Sequence, residues 1–188
     1  SGAARLTAAG GVRTLDLQLR SDDLAMARDR YLTGWLGPAG FADLKLAGAT
    51  QGELAFDADG LHSVHAQLKA VDANDGRQRF ALHGVGGDLR WTADAAAVAS
   101  ALHWSKGRLF GIDLGPSAFA LHSRSRALQL DRAASIPMLG GTLRLDQFDF
   151  TAADARRGTR FAFGLSLLKL QVAQLAQRGI PAAFLNSS

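Results

Sequence analysis

The side chains best suited to acid–base or metal chemistry are five histidines: His62, His65, His83, His103 and His122. His62 and His65 lie three apart in a segment that alternates as a strand, where such positions point to opposite faces. No zinc-type ligand spacing occurs, and no acidic residue completes one. The expectation is strand histidines facing solvent, with no metal and no cofactor. A nucleophile is equally hard to assemble. G-x-S-x-G is absent, and Ser63, Ser105 and Ser123 lie in alternating segments, not on a strand-to-helix elbow. Asp146 and Asp149 are three apart and so diverge in a strand, leaving no local carboxylate pair for glycoside chemistry. Gly84-Val85-Gly86-Gly87-Asp88 precedes a strand instead of a helix, so it does not make a phosphate loop. The chain has no cysteine, which removes disulfides, thiolate metal sites and a cysteine nucleophile without fixing the compartment. These residues point to a protein that is not an enzyme.

Charge narrows the classes further. The formal net charge is +4, with basic and acidic residues interleaved and basic residues close together only in short groups such as Arg156-Arg157 and Arg124-Ser125-Arg126. A nucleic-acid binder concentrates its charge in a patch, so these arginines read as a solvated face. No run of 18 apolar residues exists, so no membrane-spanning helix is expected in these residues. Ser1-Gly2-Ala3-Ala4-Arg5 carries no hydrophobic leader, so any targeting or anchoring segment is expected outside this span.

The elements that would position any site alternate at period two, the mark of half-buried strands. Leu15, Leu17 and Leu19 alternate with Asp16, Gln18 and Arg20; Val64, Ala66, Leu68 and Ala70 alternate with His65, Gln67 and Lys69. The same step recurs at Phe80/Leu82, Leu89/Trp91, Leu102/Trp104, Phe119/Leu121, Leu128/Leu130, Leu143/Leu145, Phe148/Phe150 and Phe161/Phe163/Leu165. Asp57-Ala58-Asp59-Gly60 and Asn74-Asp75-Gly76 suit hairpin connections, because these residues tolerate positive φ. Gly86-Gly87 and Gly140-Gly141 suit bulges or sharp bends that let a sheet curl.

Two segments break the alternation. Residues 22–36 follow Ser21 as an N-cap, with Leu24, Tyr31, Leu32 and Trp35 on one side and Gly37-Pro38 as the stop. Residues 167–178 set Leu168, Val172, Leu175 and Ala176 at helical spacing before Gly179 and Pro181. Both are expected to be short amphipathic helices. Each follows an alternating strand, at Leu15–Leu19 and Phe161–Leu165. This self-similarity suggests a repeat unit over 15–160 and the start of another over 161–188. Without a linker in between, the 188 residues are expected to be a single fragment of a larger repetitive β protein.

Taken whole, the chain resembles the AsmA-like proteins of Gram-negative envelopes, YdbH-type members in particular. The segments that carry the resemblance are Leu46-Ala47-Gly48 through Gly52-Glu53-Leu54, Asp57-Ala58-Asp59-Gly60-Leu61 and Phe80-Ala81-Leu82-His83-Gly84. Gly87-Asp88-Leu89-Arg90-Trp91, Ile136-Pro137-Met138-Leu139-Gly140-Gly141-Thr142-Leu143 and the ending Leu165 to Pro181 complete it. The resemblance implies a long, strongly curved antiparallel sheet with an apolar concave face, in a periplasmic protein anchored to the inner membrane through parts outside this chain. Phospholipid acyl chains would run along that face between inner and outer membranes. Its lining would be Leu54, Phe56, Leu68, Phe80, Leu82, Leu89, Trp91, Leu102, Trp104, Phe119, Leu121, Leu128, Leu130, Leu143, Leu145, Phe148 and Phe150.

Periodicity alone is met equally by a trough and by the filled core of a sandwich or barrel. A structural or protein-interaction β-domain of the envelope is therefore the competing expectation. Nucleic-acid binding through the arginines is a distant third.

Overall fold

Strands occur wherever the sequence alternates. A computed structural model describes residues 2–9, 12–21, 43–152 and 158–168, with side chains at 15–18, 20, 43–152 and 158–168. The strands are β1 (Gly2–Ala9), β2 (Val12–Ser21), β3 (Leu44–Asp57), β4 (Gly60–Asp75), β5 (Phe80–Thr92), β6 (Val98–Trp104) and β7 (Lys106–Leu109). They continue with β8 (Ile112–Leu114), β9 (Ser117–Arg124), β10 (Ala127–Leu130), β11 (Ala134–Met138), β12 (Gly141–Thr151) and β13 (Arg160–Leu168). The described residues contain no helix. The helix expected over 22–36 lies outside them. So does the one expected over 167–178, except for Leu167 and Leu168, which end β13.

All thirteen strands join one sheet, in the order β1-β2-β3-β4-β5-β6-β9-β10-β12-β11-β8-β7, with β13 on β12 and β7 also on β5. That closed circuit is not a barrel. β6 and β7 are two halves of one row, pairing with β5 in a single register through Gly86↔His103 and Leu82↔Gly107. β9 and β8 extend that register as the next row, through Leu102↔Phe119 and Gly107↔Leu114. β10 and β11 face β12 with a slip of one residue between them, through Leu128↔Phe150 and Ile136↔Leu143. The fold is thus a sequential up-and-down meander in which every row is antiparallel to the next.

Three of its hairpins close on two residues that both have positive φ, the type I′ geometry that matches strand twist. These are Phe110 (46°) and Gly111 (82°), Ser125 (48°) and Arg126 (67°), and Leu139 (48°) and Gly140 (68°). Gly140 therefore turns the chain between β11 and β12. Asp75 is the last residue of β4, and the connection to β5 runs through Gly76 to Arg79, with Gln78 at positive φ.

The interruptions between half-rows fall beside one another. Gly48 marks a register shift in β3, Ala70 one in β4, and Gly84 has positive φ in β5. Ser105 separates β6 from β7, Gly115-Pro116 separate β8 from β9, residues 131–133 separate β10 from β11, and β12 shifts register between Leu145 and Gln147. One line of irregularity thus crosses the sheet from β3 to β12. Backbones approach closely along it. A Cβ on Gly48 (φ 107°) would lie 2.6 Å from the Ala70 carbonyl oxygen, and one on Gly87 (φ 122°) 2.0 Å from that of Ala101. Only glycine fits such positions.

The core straddles this line. Leu114, Ile136 and Leu143 form a buried cluster, with Trp104, Phe119 and Met138 packed against it.

Candidate functional site

Directly paired residues on neighbouring strands share a face, so the ladders sort the side chains. One row runs Leu17, Leu54, Val64, Trp91. Another runs Thr50, Leu68, Gly87, Leu102, Phe119. Beyond the line of irregularity, Leu46, Ala73, Leu82, Gly107, Leu114 and Met138 form a third. Continued over every ladder, this places all seventeen expected lining residues on one face. Three of them, Trp91, Leu121 and Leu143, are buried; the other fourteen are half-buried. At the margin Phe161, Phe163, Leu165 and Leu167 continue the same face and are 50 to 58% exposed.

Ring contacts knit the face. Trp104 and Phe119 have centroids 4.7 Å apart, and Phe148 meets Phe161 edge-on at 5.3 Å. Both described indoles find a carbonyl for their polar tips: Trp91 Nε1 donates to Arg126 O at 3.1 Å, and Trp104 Nε1 to Gly115 O at 2.9 Å. The Arg126 guanidinium also sits 5.6 Å from the Trp91 ring centre. Two buried serines, which sequence reasoning did not single out for this role, close gaps in the ladder. Ser100 Oγ accepts from Arg90 N at 2.8 Å and Ser123 Oγ accepts from Thr92 N at 2.9 Å, where β5 and β6 no longer pair directly. A hydroxyl at an apolar register position, as in Val98-Ala99-Ser100-Ala101-Leu102, was the available signal. Ser105 Oγ likewise donates to His83 O at 2.8 Å. The serines near histidines thus include two engaged with backbone.

The opposite face is polar, and its histidines are less solitary than the sequence suggested. His62 Nδ1 meets Asp57 at 2.9 Å, His65 Nε2 meets Asp88 at 3.0 Å, His83 Nδ1 meets Asp72 at 3.3 Å and His122 Nδ1 meets Asp131 at 2.5 Å. The shifted carboxylates all move down. Asp57 is held below the ordinary range by the Asp59 N–H and then His62, and Asp72 by the Gly84 N–H and then His83. Arg90, then His65, lower Asp88; Gln147 and Gln129 lower Asp149. Asp75, fully buried, is brought to about 2 by the Arg79 guanidinium, whose Nε lies 2.7 Å away. A general acid at neutral pH needs the reverse shift. Among the described residues no three His, Cys, Asp or Glu side chains are grouped to hold a metal ion. Asp146 and Asp149 do not converge: Asp149 binds Gln129 and Gln147, whereas Asp146 accepts from Ser166 and pairs with Arg144.

Comparison with protein-family models, with curated proteins and with solved structures returns no match for this chain.

Proposed function

We propose that the apolar face binds lipid acyl chains, and that the chain is a non-enzymatic module for phospholipid transfer between the inner and outer membranes. In this reading it is a β-groove segment of an AsmA-like periplasmic protein anchored to the inner membrane by parts outside these residues. The observation that carries it is coverage: fourteen of the seventeen lining residues stay half-buried on a single sheet that carries polar side chains on its other side. A contiguous apolar surface of this kind marks an interaction site. The line of bulges and interruptions supports the finer expectation that the sheet curls over this face, since each bulge bends its strand and raises local twist. Burial of each methylene contributes about 0.8 kcal/mol, so a long aliphatic and aromatic lining suits acyl chains without needing specific contacts.

A second reading rests on the cluster of Leu114, Ile136 and Leu143, where the face is filled by the chain's own side chains. There the protein is a structural or interaction domain of the envelope. Native mass spectrometry of the purified chain, with organic extraction, separates the two. Stoichiometric phospholipid is the expected result, lost in a folded Leu82→Asp or Phe119→Asp variant. Lipid-free protein, or lipid retained by both variants, would leave the scaffold reading standing.

A further inference from the structure

A second feature has its charged border on the polar face, although Phe80, Gly107 and Leu114 of the apolar face also line it. A groove of about 580 Å³ opens over the β3–β4–β5–β7–β8 end of the sheet, within the size range of small-molecule sites. Its axis is one cross-strand row, Lys45↔Asn74, Asn74↔Ala81, Ala81↔Arg108 and Arg108↔Asp113. His83 and Lys106, themselves paired across β5 and β7, form the next row of the same face. The small Ala81 side chain lies between the longer Asn74 and Arg108, which leaves room above it.

The charges do not cancel. Both acids at the groove are engaged: Asp75 by Arg79, and Asp113 by Arg108 Nε at 3.1 Å. Lys45 and Lys106 are exposed, and among the described residues neither makes a salt bridge within 4.0 Å, although Lys106 is near enough to Asp72 to help hold that carboxylate ionised. Arg108 retains further N–H donors beyond the Nε that Asp113 occupies. Two lysines, a guanidinium with donors to spare and the Asn74 amide thus border one concave surface. This donor set suits a doubly charged, multi-acceptor anion better than a single carboxylate.

We propose that this groove binds a phosphate group, with Lys45, Lys106 and Arg108 as its cationic ligands and Asn74 as a neutral donor. The group is carried by a lipid headgroup or by a soluble phosphate ester. A solvent-exposed site of this kind binds at roughly millimolar Kd.

Titrating the whole chain with inorganic phosphate at constant ionic strength, followed by NMR, tests the proposal. Saturable amide shifts centred on Ala81 and Gly107 are expected, weakened about tenfold in Lys45→Ala/Lys106→Ala. The control is Arg20→Ala/Lys69→Ala, which removes the same charge around a different depression on the molecule; it should bind phosphate like the parent. Phosphatidylglycerol vesicles added to the phosphate-bound chain then identify the source. Displacement assigns a headgroup, and no displacement assigns a soluble ester. Absence of saturable shifts in the parent chain overturns the proposal without reference to any variant. Equal weakening in the two double variants overturns it as well, because general charge would then account for the binding. Acyl-chain binding is read separately, by the lipid that co-purifies with the chain.

Discussion

Ile136, Leu143 and Leu167 stand side by side in one row on the apolar face, yet they are 7, 9 and 56% exposed. All three belong to apolar alternations. Leu143 has a strand on either side and belongs to a cluster with Leu114 and Ile136 against which Trp104 and Phe119 pack from across the line of irregularity. Leu167 has β12 on one side and, among the described strands, no second neighbour. Alternation therefore selects a face, whereas burial depends on how many rows surround a position. The filled centre and bare margin of one surface are also where the scaffold and lipid readings draw their respective support.

The sharpest way to break this contrast is to place a charge at each end of the row. Leu143→Asp should cost about 4 kcal/mol or more by urea denaturation, because an unpaired carboxylate would be buried, while Leu167→Asp should cost under about 1 kcal/mol. Equal losses would mean that the margin is as covered as the centre. Next in size are the close approaches along the line. Gly48→Ala combines positive φ with a 2.6 Å clash, whereas Gly60, also at positive φ (105°), has nothing within 4 Å. Losses of about 3 and about 1 kcal/mol respectively are expected in thermal melts.

Acid should separate regions in a different way. The pKa of Asp75 is depressed in the folded chain from 3.8 to about 2, so its pairing with Arg79 contributes fully above 3.8 and is lost as pH falls toward about 2. Hydrogen-exchange protection at the β4–β5 connection should fall within that window before protection of the β11–β12 centre does. A simultaneous loss would show that the connection is not held by this pair. The smallest effect expected is a gain. Phe110 is 72% exposed at positive φ before Gly111, so Phe110→Asn creates the preferred I′ pair and should add about 0.5 kcal/mol in the same melts.

Much of the sheet was legible. The alternations at Phe80/Leu82, Leu102/Trp104 and Leu128/Leu130 became strands, and their apolar members fell on one face, because pleating is a local property of the backbone. The histidine partners were not legible. His65 finds Asp88 and His83 finds Asp72 across the β4–β5 ladder, whose register slips at Val71 and is restored by Leu68. Which acid meets which histidine depends on strand register, and no local pattern in the sequence announces where a register slips or is restored. The groove over Ala81 was hidden for the same reason, since Lys45, Asn74 and Arg108 share a row only once three registers are fixed.

By itself, then, the sequence determined strands, turns and the sidedness of each strand, since φ/ψ preference and the two-residue period act within a few residues. Tertiary structure alone decided that interrupted strands continue one another as rows, that their breaks align from Gly48 to Gln147, and that Leu143 is covered while Leu167 is not. Those outcomes depend on which strands lie beside one another and in what register, and both are set by hydrogen-bonded pairing between residues far apart in the chain.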